Sequence, residues 1–128
     1  AEMKIEHVAL YCRDLEKTRE FFQEFFGAKA GALYRNSKGF SSYFLTFDDG
    51  ARLEIMNFPD LAPDTGNGRR CGFIHLALST GSRENVDGLT ERLRSAGYQV
   101  VSGPRVTGDG YYESQIIGIE GLVLEITV

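Results

Sequence analysis

Apolar and polar residues alternate along residues 4–12, "KIEHVALYC", in a segment rich in residues that favour β-structure. This alternation predicts a strand. In residues 15–26 the apolar positions instead recur at the spacing of an amphipathic helix, with Asp14 before the segment as an N-cap and Gly27 after it as a stop. Two or three strands follow, in "AGALYR", "FSSYFLTF" and "ARLEIMNF". An Asp-Gly pair between the last two is a strong hairpin signal.

The same order of patterns restarts after a loop with proline and glycine at residues 59–70. Residues 72–79, "GFIHLALS", have the pattern of a strand. Ser82 is placed to cap a helix near residues 83–96, and Gly97 stands at its end. Three further strand patterns follow, in "YQVVSG", "YYESQIIGI" and "LVLEITV".

Each half of the chain therefore runs strand, helix and then three strands. This duplication predicts an α+β fold made of two tandem βαβββ modules rather than a longer repeat array, because there are only two copies. Module 1 would cover about residues 4–58 and module 2 about residues 72–128. The 128 residues suffice for one compact domain, so we expect a single domain over residues 1–128.

The chain has only two histidines, and they occupy equivalent positions in its two halves. His7 lies in "IEHVALY" on the first strand of module 1, and His75 lies in "FIHLALS" on the first strand of module 2. Glu54 in "RLEIM" and Glu125 in "VLEIT" are equivalent in the same way, on the last strand of each module. Each module thus pairs one histidine with one glutamate.

Successive side chains of a strand point to opposite faces, which predicts where these four residues lie. In all four strands the uniformly aliphatic face lacks the histidine or glutamate; Val8 and Leu10, for example, point away from His7. We expect the aliphatic faces to form the core beneath the helices. Alternation alone leaves the face of Glu113 and Gln115 open. The side chains expected to line a cavity beside the four residues are Tyr11, Arg52, Met56, Phe58, Phe73 and Ser79.

Matched histidines and glutamates on one face predict a metal site. A single histidine on a strand is more often structural or exposed, and a single glutamate is more often solvated. The symmetric placement of all four favours one divalent transition metal, and the predicted ligands are His7, Glu54, His75 and Glu125. Imidazole nitrogen and carboxylate oxygen together suit zinc, nickel or cobalt, and also manganese or iron. On a six-coordinate ion, four protein ligands leave two positions for water or substrate.

Composition and charge narrow the class of partner. The net charge of −4 and the lack of a basic stripe disfavour nucleic acid. No apolar run approaches the ~20 residues that cross a bilayer, so no membrane partner is expected. Cys12 and Cys71 are far apart in sequence, and we expect two reduced thiols in a cytoplasmic protein that acts on a small molecule.

The pattern resembles the vicinal oxygen chelate superfamily, and within it the glyoxalase I branch. The similar segments are "HVALYCRDLEKTREFFQEFFG", "LEI", "GFIHLALS" and "GIEGLVLEI", and the order His, Glu, His, Glu resembles the metal ligands of glyoxalase I. This resemblance implies glyoxalase-like curved sheets around a metal site and a homodimer. It leaves open whether the two His–Glu pairs meet within one chain or between two chains.

The resemblance also implies an activity. It is that of a lactoylglutathione lyase-like carbon–sulfur lyase, which converts the hemithioacetal of a 2-oxoaldehyde and a thiol, or a similar substrate with vicinal oxygens, through an enediolate. Glu125 would be the catalytic base, with Glu54 as its symmetric alternative. Tyr11 stands where glutathione-using members commonly carry an arginine, so the thiol is left open. The alternatives are a bleomycin-resistance type binding protein without chemistry, and a related dioxygenase.

Overall fold

The computed structural model describes residues 3–64, 69 and 71–128. The chain divides into two compact units, Ala1–Gly66 and Asn67–Val128. The boundary between these units falls inside the segment predicted as a loop. Each unit carries its own sheet, and each sheet is covered by its own helix.

The described residues of the first unit form one helix and five strands. They are β1 (His7–Tyr11), α1 (Leu15–Phe26), β2 (Lys29–Ala30), β3 (Tyr34–Arg35), β4 (Ser41–Thr46) and β5 (Arg52–Asn57). The order in the sheet is β1-β5-β4-β2, with β3 also paired to β4. β1 runs parallel to β5, and the other pairs are antiparallel. The first and last strands of the unit are therefore neighbours.

Local signals at both ends explain why α1 forms where it does. The Asp14 side chain accepts a hydrogen bond from the backbone N–H of Lys17 at 2.9 Å, which satisfies a donor that the first helical turn cannot. Gly27 ends the helix in the left-handed conformation, with φ 64°. The buried face of α1, which includes Phe21 and Phe22, packs on β4 and β5. The predicted bounds of this helix are confirmed.

The second unit repeats this arrangement. Its elements are β6 (Leu76–Ser79), α2 (Arg83–Ser95), β7 (Gln99–Val106), β8 (Tyr112–Ile117) and β9 (Val123–Thr127), with one 3₁₀ turn at Ile119–Gly121. The order in the sheet is β6-β9-β8-β7. β6 runs parallel to β9, so first and last strands are again neighbours. The predicted α+β fold with two βαβββ modules is confirmed.

The core of the second unit lies between α2 and its sheet. Ser82 caps α2 by accepting a hydrogen bond from the backbone N–H of Asn85 at 3.1 Å. The buried side chains that meet in this core are Val86, Thr90, Leu93, Ile116, Leu124 and Ile126. Thr90 satisfies its hydroxyl there through Ser114, at 2.6 Å between the two side-chain oxygens.

Strand bounds differ from the predictions at several places: β1 begins at His7 rather than at residue 4, and β7 continues to Val106. Two further differences concern larger segments. Residues 72–75 do not belong to a strand, because the parallel pairing with β9 begins only at Leu76, opposite Leu124. The segment "AGALYR" contains parts of two short strands, β2 and β3, which pair with different parts of β4. In both cases strand length is decided by the available partner strand, which local alternation does not reveal.

Among the described residues, no helix is long and apolar enough to cross a membrane.

Candidate metal centre

In the first unit, the neighbouring parallel strands bring His7 close to Glu54. The register of β1 and β5 pairs Ala9 with Glu54, two positions after His7. Nε2 of His7 lies 3.9 Å from Oε1 of Glu54. Leu53 and Ile55 are buried on the opposite face of β5, whereas the Glu54 side chain keeps 18% of its surface exposed. The pair therefore lies on the sheet face that the helix does not cover.

The second unit builds the equivalent pair. Nε2 of His75, just before β6, lies 3.2 Å from Oε1 of Glu125 on β9. Leu124 and Ile126 are fully buried on the opposite face, whereas the Glu125 side chain keeps 20% of its surface exposed. Each unit thus brings its predicted histidine and glutamate together on the face away from its aliphatic core.

Aromatic and charged groups surround the pair in the first unit. Phe44 is opposite Glu54 in the register of β4 and β5. The rings of His7 and Phe44 meet in a T-shaped arrangement with 5.4 Å between their centroids, and the guanidinium of Arg52 lies 4.0 Å from the centroid of the Phe44 ring. Nδ1 of His7 lies 2.9 Å from Oε1 of Glu6. These neighbours restrict the orientation of the His7 ring.

The carboxylate of Glu6 joins His7 to Arg52. Arg52 donates two hydrogen bonds to it, from Nε at 2.9 Å and from Nη2 at 2.6 Å. The hydrogen bond from Arg52, followed by that from His7, lowers the pKa of Glu6 from 4.5 to about 2. The carboxylate therefore remains ionised at neutral pH and can only accept hydrogen bonds.

In the second unit, the residues beside the His75–Glu125 pair are polar. The register of β8 and β9 places Gln115 opposite Glu125, and Glu113 one diagonal step away on the same face. Loss of hydration raises the pKa of Glu113, and the charge of Glu125 and a hydrogen bond with its carboxyl group raise it further. Ser114 and Ile116 are buried on the opposite face. The pairing of β8 with β9 thus decides which face of the sheet Glu113 and Gln115 occupy, which side-chain alternation alone left open.

The residues expected to line a cavity belong to both units. Tyr11 contacts Phe58, with 6.2 Å between ring centroids, and Met56 follows Glu54 on the same face of β5. Phe73 instead precedes β6 and is 91% exposed, without the packing expected of a cavity wall within its unit.

Sequence reasoning missed Glu6 and Phe44. Strand alternation assigns Glu6 to the face opposite His7, but Glu6 precedes the first residue of β1, where alternation no longer applies. Phe44 becomes a neighbour of Glu54 only through the antiparallel register of β4 and β5. Neither position has a local sequence signal for its role.

The sequence matches the Glyoxalase/Bleomycin resistance protein/Dioxygenase superfamily over residues 4–126. The chain belongs to this superfamily. It is similar to the uncharacterized protein YqjT of Bacillus subtilis (strain 168), with 34% identity over 113 residues that cover 83% of this chain and 84% of YqjT. Members of the superfamily typically bind a divalent metal, and glyoxalase I is among its enzymes.

Solved structures of the superfamily share the fold. A glyoxylase/bleomycin resistance protein/dioxygenase domain from Frankia sp. EAN1pec has a TM-score of 0.85 at 21% identity, covering 100% of this chain and 98% of that one. The trypanothione-dependent glyoxalase I of Leishmania major has a TM-score of 0.76 at 15% identity, covering 98% of this chain and 86% of that one. At these identities the likeness concerns the fold alone.

The donor atoms of each His–Glu pair suit a divalent metal of the kind that members of the superfamily typically bind. Two ligands bound about 2.1 Å from one ion at angles of about 90–110° stand about 3.0–3.4 Å apart. The His75–Glu125 separation of 3.2 Å falls in this range, and the His7–Glu54 separation of 3.9 Å is somewhat longer. Within either unit, the described residues contain no metal-binding group of three or more His, Cys, Asp or Glu side chains.

Proposed function

We propose that the protein is a metal-dependent lyase of the glyoxalase I type. Its substrate would be the hemithioacetal of a 2-oxoaldehyde and a thiol, or a similar compound with vicinal oxygens. The observation that carries this proposal is the matched pairing of imidazole and carboxylate in the two units, at 3.9 Å and 3.2 Å. A purely structural role requires neither the matched positions nor the placement on the face away from the core.

The proposed ligands of a single divalent ion are His7, Glu54, His75 and Glu125. Zinc, nickel or cobalt fits this donor set, and manganese or iron is an alternative. The two pairs would meet either within one chain or across a homodimer. When bound, the metal would supply Lewis-acid polarisation of two neighbouring substrate oxygens.

Glu125 is the proposed general base. Its carboxylate would take a proton from the substrate carbon that carries the sulfur and the hydroxyl, which leaves an enediolate. It would then return the proton to the adjacent carbon, while the proton of the original hydroxyl passes to the neighbouring oxygen, giving a 2-hydroxyacyl thioester with no net gain or loss of atoms. Glu54, its equivalent in the first unit, is the alternative base.

A substrate screen tests the proposal directly. Protein loaded separately with zinc, nickel or cobalt is incubated with several 2-oxoaldehydes and thiols, including glutathione and bacillithiol, and thioester formation is followed. We expect turnover that chelation abolishes and that metal restores, without oxygen uptake. Oxygen consumption would instead indicate a dioxygenase. Tight ligand binding without metal or turnover would indicate a sequestering protein of the bleomycin-resistance type.

The cysteines bear on the proposed cellular location. Cys12 is buried, and Cys71 is exposed and forms no disulfide bond. An exposed unpaired thiol is typical of a reducing compartment, so we propose a cytoplasmic protein.

A further inference from the structure

Three groups of the first unit surround His7. Glu6 meets its Nδ1 at 2.9 Å, and Phe44 packs against the ring in a T-shaped arrangement with 5.4 Å between ring centroids. Arg52 contacts both of these neighbours, through two hydrogen bonds to Glu6 and by stacking 4.0 Å above Phe44. Arg52 therefore links the two side chains that contact the His7 ring.

The chemistry of this contact decides which ring nitrogen carries the proton. A carboxylate can only accept a hydrogen bond, so the Nδ1 that faces Glu6 must be the N–H donor. In a neutral ring, the lone pair then lies on Nε2. Nε2 is the atom that faces Glu54, at 3.9 Å. The contact thus presents the lone pair towards the proposed metal ligand.

In the second module, the sequence positions that match Glu6 and Arg52 carry apolar residues. Ile74 precedes His75, where Glu6 precedes His7. Val123 stands two residues before Glu125, where Arg52 stands two residues before Glu54. The duplicated halves therefore share the His–Glu pair but not the residues at these two positions.

We propose that Glu6, clamped by Arg52, is a positioning residue that fixes His7 in the Nδ1–H form and presents Nε2 as a metal ligand. The metal part of this inference rests on the proposed function, whereas the tautomer part does not. Carboxylates that hold a ligating histidine typically change metal affinity by about 10–100-fold when removed. Arg52 acts one step further out, by orienting the carboxylate.

Ring-nitrogen NMR of the metal-free protein tests the tautomer. The tautomer is read from spectra in which the ring-nitrogen shifts themselves identify a neutral imidazole. We expect His7 to be predominantly Nδ1–H in the wild type and to shift markedly towards Nε2–H in Glu6→Ala. The ring of His75 in the same sample is the internal control and should not change. Glu6→Gln, which retains an oxygen acceptor, should restore part of the wild-type tautomer.

Zinc titration by calorimetry tests the consequence for the metal. We expect Glu6→Ala to weaken zinc about 10–100-fold, and Glu84→Ala, which removes an exposed carboxylate from α2, to leave the affinity unchanged. An unchanged His7 tautomer in Glu6→Ala would overturn the inference even if the wild type binds zinc. A shifted tautomer in a protein that binds no metal would support the positioning role and remove only the proposed function.

Discussion

Nε2 of His75 lies 3.2 Å from Oε1 of Glu125, closer than the 3.9 Å between the equivalent atoms of His7 and Glu54. The shorter distance is within the range expected for two ligands of one ion, and it is also short enough for a hydrogen bond. The two interpretations differ in their response to substitution. A hydrogen-bonded pair contributes to its own unit only, whereas a shared ion makes both pairs necessary for metal binding.

Removing either histidine should therefore impair the same metal site. We expect His7→Ala and His75→Ala each to lower zinc or nickel affinity by at least ~10-fold, because a nitrogen ligand is lost from a single ion. Elemental analysis and calorimetry measure the metal content and the affinity. Gln99→Ala, at an exposed strand position, is the control and should bind metal normally. Wild-type metal content in both histidine variants would contradict the shared site.

Glu125→Gln should separate catalysis from metal binding. We expect turnover to fall by about 10²–10⁴-fold, since the amide cannot accept the substrate proton, while part of the metal is retained. Turnover per bound metal is the quantity to measure, with Glu54→Gln as the comparison. Glu84→Gln, which changes an exposed glutamate of α2, is the matched control and should keep wild-type turnover. Undiminished turnover in Glu125→Gln would remove this residue as the base.

Phe22 should be a major contributor to the stability of the first unit. Its side chain is fully buried between α1 and the sheet, so Phe22→Ala is expected to lower the free energy of unfolding by about 3–5 kcal/mol. Urea denaturation measures the change. Phe73→Ala is the matched control, because that phenylalanine is 91% exposed and its loss should leave the midpoint nearly unchanged. Equal destabilisation by Phe22→Ala and Phe73→Ala would contradict the placement of Phe22 in the core.

The N-cap of α2 can be tested by itself. Ser82→Ala removes the acceptor for the backbone N–H of Asn85, and we expect a loss of about 0.5–2 kcal/mol in the free energy of unfolding. Ser82→Asp retains a capping oxygen and should keep most of the stability. If Ser82→Ala unfolds at the same urea concentration as the wild type, the cap makes no net contribution.

The hydrogen bond between Tyr43 and Glu16, 2.5 Å between oxygens, should make stability depend on pH. This bond, followed by one from Arg19, lowers the pKa of Glu16 below 4.5. A depressed carboxyl pKa contributes stability that is present above the unfolded pKa and is lost as the pH falls through the folded pKa. We expect the destabilisation by Tyr43→Phe to be largest near neutral pH and to shrink below about pH 4.5.

Unfolding at several pH values measures this effect. Tyr111→Phe, which removes a hydroxyl from an exposed ring, is the control and should show a difference from wild type that does not vary with pH. A Tyr43→Phe effect that stays constant from pH ~6 to pH ~3 would show that the Glu16 interaction does not contribute.

Local patterns were sufficient to predict most of the elements. α1 begins after Asp14 and ends before Gly27, as predicted, because caps and helical periodicity act within a few residues. The equivalence of the two halves, and with it the choice of one histidine and one glutamate in each, also came from the sequence. That equivalence needs only matched positions in a repeat, without any knowledge of strand pairing.

Strand pairing decided the rest. The register of β1 and β5 brings His7 to Glu54, residues 47 positions apart, and no local signal specifies that register. Glu6 contacts His7 and Arg52 because it precedes β1, where side chains no longer alternate between the two faces of the sheet. The sheet face of Glu113 is set by the pairing of β8 with β9. The sequence by itself therefore determined the elements and the chemical groups. The tertiary structure decided which groups touch, because contacts between distant strands depend on hydrogen-bond register rather than on local side-chain periodicity.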